Sequence, residues 1–367
     1  PLEAKLIRAL YVLYDQQTIP NQDDRDRAYL TAMRILNQEY PDDPDITALY
    51  AASYMSMKRW DYWDSEGNPK AETIPVAEAL EHIIAQGLSH PGVFHLHIHL
   101  IEASLEPERA LVSADALEAT VPIAGHVVHM PSHIYVRVGK YGKAVENNVR
   151  SQEVDRQFTD LWGDYPLPNI GTYPLSHRLH AGHALDFIRY AATVQGNYKT
   201  ASEAAWRMAN RVIGDTVMVQ GGQKRVSAPW LVLKIFGKWD ELLALTPAYQ
   251  GTPYLDGIWS YSLGSAFLAK GNMGAAFREL VNLRMIAEAP NADEYRVGAT
   301  PVSAVLQLAA FGLEGEILMA QGDLSGAIEA FRAGVAIEDQ NNYTAVSYTH
   351  LRAHETRHDL VCRLLLE

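Results

Sequence analysis

Histidine side chains recur at helical spacing in the middle of the chain, and they are the residues with the clearest capacity for chemistry. On an α-helix, residues three or four positions apart are neighbours on one surface. Three residues that can bind a metal therefore share one predicted helix face: His95, His99 and Glu102. Because imidazole nitrogens bind first-row transition metals, this face could form one side of a metal site.

Two later segments offer further rows of histidines. The first row shares one helix face if the helix continues through Pro131, and it consists of His126, His129 and His133. The second row consists of His177, His180 and His183. Rows on three separate helices predict a pocket in which all three helices contribute metal ligands. The expected ligands are His95, His99, Glu102, His126, His129, His133, His180 and His183.

The residue types restrict which metal is expected. The single cysteine, Cys362, lies in an atypical C-terminal segment, so thiolate ligands are not expected. Imidazole-rich sites suit Zn, Cu, Ni or Fe, with zinc as the first expectation, and one carboxylate does not favour Ca or Mg. Three protein ligands and an open position would let a metal-bound water perform hydrolysis, and more than four ligands would allow a two-metal site. Glu102 is either a ligand or a general base, because its spacing fits both roles.

A structural alternative explains the same histidines without a metal. Each neutral imidazole has one hydrogen-bond donor and one acceptor, so the rows could satisfy one another in a polar network. That network would acquire repelling charges on protonation at about pH 6, whereas a cation would use the spare lone pairs. We therefore favour metal binding. His97 is expected to point away from His95 and His99 and to pack or hydrogen-bond on the opposite side of its helix.

The chain that must position these residues is predicted to be nearly all helical, because strand-type alternation never persists. Five segments follow the pattern glycine, any residue, bulky residue, two residues, small or aliphatic residue, and each separates two helical stretches. The glycine lets the chain turn between paired helices. These segments are residues 139–144, 196–201, 237–242, 271–276 and 322–327. They predict an all-α fold, a right-handed α-solenoid of helical hairpins over residues 1–345, whose histidine-rich concave groove spans about residues 90–185.

Two of the histidine segments also carry a resemblance to a known family. Residues 90–102 are similar to H-P-G-x-x-H-L-Y-I-H-x-x-E, with His97 in place of tyrosine. Residues 124–141 are similar to A-G-H-L-V-H-M-P-S-H-I-Y-x-R-V-G-R-Y, with Val127 and Lys140 as the differences. Both patterns resemble a largely uncharacterised group of bacterial tetratricopeptide-repeat proteins. A third pattern, Y-Y-P-H-N-x-H-F-L, is loosely matched over residues 173–185 and would place its histidines at His180 and His183.

The resemblance implies a tetratricopeptide-like fold and a pattern of histidines, but no established reaction. Two functions from different classes follow. The first is a solenoid that binds a transition metal through its His/Glu cluster. Such a metal site would allow metal-dependent hydrolysis, but whether the protein is an enzyme is left open. The second is a scaffold that binds a peptide or protein along the concave groove, with a structural histidine network.

Composition limits the partners. The chain has 31 basic and 44 acidic residues, a net charge of −13, which argues against nucleic acid or an anionic membrane surface. No uninterrupted apolar run is long enough to span a bilayer. The chain begins at Pro1 within a predicted helix, so we expect the natural N-terminus to be missing. The compartment is left open between bacterial cytoplasm and periplasm.

The C-terminal segment 346–367 resembles the translation of a sequencing-library adapter, and we expect it to be a non-native tail. It contains His354, Glu355 and His358, which formally match the H-E-x-x-H pattern of zinc metalloproteases. Because an adapter origin of the tail explains every residue of this pattern, no zinc site is assigned there.

Overall fold

The computed structural model describes residues 1–58, 61–64, 66–162, 169–170, 173–174, 181–218, 221–294, 296–297 and 300–340. Over these ranges the chain is mostly helical, which confirms the predicted all-α class. The named strands in these ranges form two antiparallel pairs, β1 (Asn169–Ile170) with β2 (Tyr173–Pro174) and β3 (Arg296–Val297) with β4 (Thr300–Pro301). The segment 346–367 lies outside the described residues.

The chain divides into two units, Pro1–Ala184 and Leu185–Glu367. In the first unit, consecutive helices pack on one another through most of the sequence, and α3 also contacts α5. The helices of this unit are α1 (Leu2–Tyr14), α2 (Gln22–Glu39), α3 (Pro44–Met57), α4 (Thr73–Ala85), α5 (Pro91–Ile101), α6 (Leu111–Thr120), α7 (Gly125–His129), α8 (Pro131–Arg137) and α9 (Tyr141–Trp162). Helix α10 (Ala181–Val194) begins in this unit and crosses the boundary.

Side-chain caps fix where several of these helices begin. Asn21 accepts the backbone N–H of Asp24 at the start of α2, and Asp43 accepts that of Ile46 at the start of α3. Such caps satisfy backbone donors that have no partner within the helix and contribute about 1 kcal/mol each. Fully buried side chains hold the packed helices together in this unit, among them Met33, Tyr54, Leu80, Ile98 and Leu117.

The second unit is also built from paired helices. They are α11 (Tyr198–Ala209), α12 (Gly222–Ile235), α13 (Trp239–Ala244), α14 (Pro253–Ala269), α15 (Met273–Ala287), α16 (Val302–Ala320) and α17 (Leu324–Asp339). Helix α14 contacts α12, α15 and α16, and α16 contacts α17. A Cβ on Gly257 would lie 2.5 Å from a methyl carbon of Leu306, so this glycine permits the close approach of α14 to α16.

All five predicted glycine turns separate two helices. In each one the bulky residue begins the second helix, at Tyr141, Tyr198, Trp239, Met273 and Leu324. Gly139, between α8 and α9, has a φ of +77°, which L side chains rarely adopt. These turns agree with the predicted hairpins, while the right-handed superhelix over residues 1–345 stays a prediction.

Helix α16 is the one described helix that is long and apolar enough to cross a membrane by length and composition. It spans 19 residues and carries Glu314 and Glu316. Several of its apolar residues, including Leu306 and Leu313, are buried in the core of the second unit. A core helix passes the same test of length and composition, so this finding is weak support for a membrane span.

Candidate metal centre

Helix α5 positions the first group of predicted ligands. His90 accepts the backbone N–H of Val93 through Nδ1 at 3.1 Å, and Pro91 occupies the first turn, where its missing N–H costs nothing. The helix packs against α3, α4, α6 and α8, which fixes its rotation. His95 and His99 are half-buried on the face that the sequence predicted, and Glu102 is fully buried at the C-terminal end.

The helical backbone that carries His126, His129 and His133 continues past Pro131, as one shared face requires. Met130 has helical backbone angles, φ −51° and ψ −41°, and links α7 to α8. The N–H of His133 bonds to the carbonyl of Met130 at 3.1 Å, one residue closer than in a regular α-helix. This tighter turn keeps the chain coiling where proline has no N–H to donate.

The imidazole rings of the three helices meet. His95 and His99 have ring centroids 4.9 Å apart, and His99 lies 5.2 Å from His133. His129 lies 4.9 Å from His133 and 4.6 Å from His183, which belongs to α10. All these rings belong to the first unit. Seven of the eight predicted ligands lie in one cluster: His95, His99, Glu102, His126, His129, His133 and His183. The remaining candidate, His180, lies outside the described residues, as does His177.

The ligand atoms fall into groups of three, within each of which they lie no more than 4.8 Å apart. One group is His95, His99 and His126. A second is His129, His133 and His183, and a third joins His99, Glu102 and His133. Each group could hold a metal ion.

Glu102 contacts a histidine with each of its carboxylate oxygens. Oε1 lies 2.9 Å from Nδ1 of His99, and Oε2 lies 2.7 Å from Nδ1 of His133. Burial raises the pKa of Glu102, but its electrostatic and hydrogen-bonding contacts with His133 and His99 outweigh burial and hold the pKa below its usual range. An ionised carboxylate only accepts, so both Nδ1 atoms must donate. Both rings then present Nε2 as the nitrogen for a metal.

Asn148, on α9, orients His129 in the same way. Its Nδ2 donates to the hydroxyl of Ser132 at 2.8 Å and to the carbonyl of Ala144 at 2.7 Å. These bonds assign the amide so that Oδ1, 2.6 Å from Nδ1 of His129, accepts the ring N–H. Nε2 of His129 therefore carries a lone pair, and it lies 3.0 Å from Nε2 of His133.

The buried rings favour the neutral form. Burial, followed by the neighbouring imidazoles of His183 and His133, lowers the pKa of His129 well below its usual value. Burial lowers the pKa of His95 to about 3, and it also lowers that of His99 although Glu102 opposes the shift. Neutral imidazoles are the form that binds metal ions.

His97 lies apart from this cluster, as predicted. It is fully buried, with Nδ1 2.8 Å from the hydroxyl of Ser113 and Nε2 3.3 Å from a carboxylate oxygen of Glu81. Arg109 in turn pairs with Glu81 at 2.8 Å. Arg137 donates through Nη2 to the carbonyl of Ser104 at 3.0 Å.

Sequence reasoning missed Asn148, because its partner lies 19 residues away on a different helix. An asparagine in the interior of a predicted helix, where this residue type is not favoured, was the one available signal.

Comparison with protein-family models gives no match, and comparison with curated proteins gives none either.

Proposed function

We propose that this protein binds a transition metal ion through the histidines between residues 95 and 183. The observation that carries the proposal is the 3.0 Å approach of Nε2 of His129 to Nε2 of His133. Since Asn148 and Glu102 accept the Nδ1–H of these rings, Nε2 of each ring carries a lone pair whenever that ring is neutral. Lone pairs at this distance repel each other unless a cation lies between them. A metal ion supplies that cation at neutral pH, and a shared proton is the competing explanation.

The donors support a borderline first-row metal. Imidazole nitrogens suit Zn, Cu, Ni and Fe, and zinc remains the first expectation. Asn148 and Glu102 are proposed as residues that orient the ligands through hydrogen bonds, a role in which such groups raise metal affinity about ten- to a hundredfold. Both oxygens of Glu102 contact ring nitrogens, so we do not assign this residue the role of general base.

Metal content tests this proposal directly. Protein purified without an affinity tag is expected to carry, or to take up, at least about one equivalent of Zn, Cu, Ni or Fe. The bound metal should raise the melting temperature, because it binds the folded state. His129→Ala should reduce the rise. His82→Ala is the matched control, since His82 is exposed and pairs with Asp42 away from the cluster.

A metal content below about a tenth of an equivalent, with no thermal shift, would favour the competing scaffold function. The histidines would then form a structural network, and a peptide or protein would be the partner. An intact shift in His129→Ala would show that the metal binds elsewhere.

We further propose that the metal centre is hydrolytic. A metal held by three imidazoles keeps a position for water and lowers the pKa of that water towards neutrality. Hydrolysis of activated phosphate and carboxylate esters should require loaded protein. Equal hydrolysis rates for metal-loaded and metal-free protein would reject the hydrolytic role but not the proposal that the protein binds a metal.

The helical hairpins support a tetratricopeptide-like solenoid with the histidines in its concave groove, and we propose this arrangement for residues 1–345. Small-angle X-ray scattering tests it, because a solenoid is more elongated than a globular chain of equal length.

A further inference from the structure

We infer that the histidine cluster is a pair of adjacent metal subsites, each formed by three imidazoles; this inference rests on the metal binding proposed above. Subsite A consists of His95, His99 and His126. Subsite B consists of His129, His133 and His183. Subsite A combines residues from α5 and α7, and subsite B combines residues from α7, α8 and α10.

In each subsite, one pair of ring nitrogens lies close to the separation that a single ion requires. Tetrahedral coordination at about 2.0 Å places two ligating nitrogens roughly 3.3 Å apart. Nε2 of His95 lies 3.1 Å from Nε2 of His126, and Nε2 of His129 lies 3.0 Å from Nε2 of His133. Small ring rotations would therefore bring each pair to coordinating distance.

The distances do not fit one ion shared by all the rings. An octahedral ion at about 2.1 Å would hold every pair of ligating atoms within roughly 4.2 Å of each other. Among the described residues, the imidazole nitrogens fall within 4.8 Å of one another in the two threes and not as a single set of six. The subsites remain neighbours, because the rings of His99 and His133 lie 5.2 Å apart and those of His126 and His129 lie 6.2 Å apart.

Glu102 links the two subsites. Its Oε1 accepts from His99 in subsite A, and its Oε2 accepts from His133 in subsite B. One carboxylate thus orients one ligand of each ion. Because the same side chain positions both ligands, occupation of one subsite should preorganise the other.

The charges indicate what completes the pair. Two divalent cations bring four positive charges, while imidazoles bind metal ions in their neutral form and Glu102 contributes one negative charge. Uncompensated charge in a buried site is costly. A small anion bound to both ions would offset it, either hydroxide from water or an oxygen of an anionic substrate. We therefore assign the site an anionic ligand class.

Counting metal ions tests the pair. Metal-free wild-type protein is titrated with Zn²⁺ and with Co²⁺ in a calorimeter, and elemental analysis then gives the number of ions bound per chain. We expect about two equivalents per chain in the wild type and about one each in His126→Ala and His183→Ala. These two histidines are half-buried, so their removal disturbs packing less than removal of His129 or His133. His82→Ala should retain about two equivalents, like the wild type.

Spectroscopy gives a second readout. Cu²⁺ ions bound at both subsites should be magnetically coupled. Their electron paramagnetic resonance signal should then be weaker than the copper content predicts, whereas each single variant should give the full signal of an isolated Cu²⁺ ion. Phosphate or azide should alter the Co²⁺ absorption spectrum of the wild type. An unchanged spectrum would overturn the anionic ligand class.

The outcomes separate this inference from the proposed function. One equivalent in the wild type, lost in both single variants, would overturn the pair and leave a single metal centre. Less than about a tenth of an equivalent in the wild type would overturn both proposals. If an alanine variant does not fold by circular dichroism, His126→Gln and His183→Asn replace it, since these side chains keep polar volume and remove the ring.

Discussion

Nδ1 of His133 donates to Oε2 of Glu102 over 2.7 Å, and both side chains are almost completely removed from solvent. The two residues lie 31 positions apart in the sequence. This bond joins the C-terminal end of α5 to α8 and decides which nitrogen of His133 faces the cluster. It makes the carboxylate a positioning group for the imidazoles, a role that helical spacing could not distinguish from those of ligand and base.

Glu102→Gln should weaken metal binding with little change in size at the site. The amide oxygen can accept from one imidazole, but the NH₂ group cannot accept from the other. One ring then loses its acceptor, so we expect metal affinity to fall about ten- to a hundredfold and the free energy of unfolding to fall by roughly 1–3 kcal/mol. Competitive metal titration and urea unfolding measure the two effects.

The matched control is Glu106→Gln, four residues further along, where the side chain is 68% exposed and pairs with Arg109 at 3.8 Å. It should leave both quantities unchanged. Equal metal affinity in wild type and Glu102→Gln would show that the carboxylate does not orient the ligands.

Asn148→Ala should show whether Asn148 acts by orienting the ring of His129 or only by filling space between the helices. The substitution removes the oxygen that accepts from Nδ1 of His129, so either tautomer of this ring becomes accessible and metal affinity should fall about tenfold. Ser132→Ala is the control, because it removes one contact of the amide and leaves the Asn148–His129 bond in place. A loss of affinity of the same size in both variants would indicate general loosening of the helices.

The contacts of Glu81 with His97 and Arg109 should make the free energy of unfolding depend on pH in the acidic range. Hydrogen bonding to His97, opposed by desolvation and reinforced by Arg109, lowers the pKa of Glu81 from 4.5 to about 2. The pKa is lower in the folded protein, so the stabilisation is complete above pH 4.5 and is lost as the pH falls from 4.5 towards 2.

Because 33% of the Glu81 side chain is exposed, solvent screening limits this contribution to about 1 kcal/mol. Urea unfolding from pH 6 down to pH 3 measures it. Glu81→Gln should be less stable at pH 6 and should show a flatter acid limb than the wild type. Parallel curves for the two proteins would exclude Glu81 as a source of the acid sensitivity.

Two glycine substitutions should change stability in opposite directions. Gly139→Ala places a side chain at φ +77° with open space around it, so backbone strain alone should lower the free energy of unfolding by about 1 kcal/mol. Gly274→Ala lies inside α15, where the closest contact of the new methyl group is the flexible end of Arg278 at 3.8 Å. It should raise stability by about 0.5–1 kcal/mol. Thermal melting compares the two, and a loss at both positions would contradict the distinction.

Local spacing predicted much of this molecule. The i, i+4, i+7 pattern correctly placed His95, His99 and Glu102 near one another, since helical geometry alone decides such proximity. The glycine turns were also predictable, because Gly139 and its counterparts need a backbone conformation that few residues adopt.

Long-range contacts account for what the sequence left open. The bonds of Glu102 to His133 and of Asn148 to His129 depend on how α5, α8 and α9 pack, and no local pattern encodes that packing. The grouping of the histidine side chains from separate helices has the same origin. His183 was predicted as a ligand, but its contact with His129 depends on where α10 lies.

Helix α5 is held from both sides. His97 is anchored to Ser113 and Glu81 on its inner face, while His95 and His99 present their rings on the other. A helix secured in this way cannot rotate to follow an incoming ion. The backbone of the metal-free protein should therefore already have the shape of the metal-loaded one, with only small ring rotations on binding, and ion size rather than refolding should decide which metal is retained.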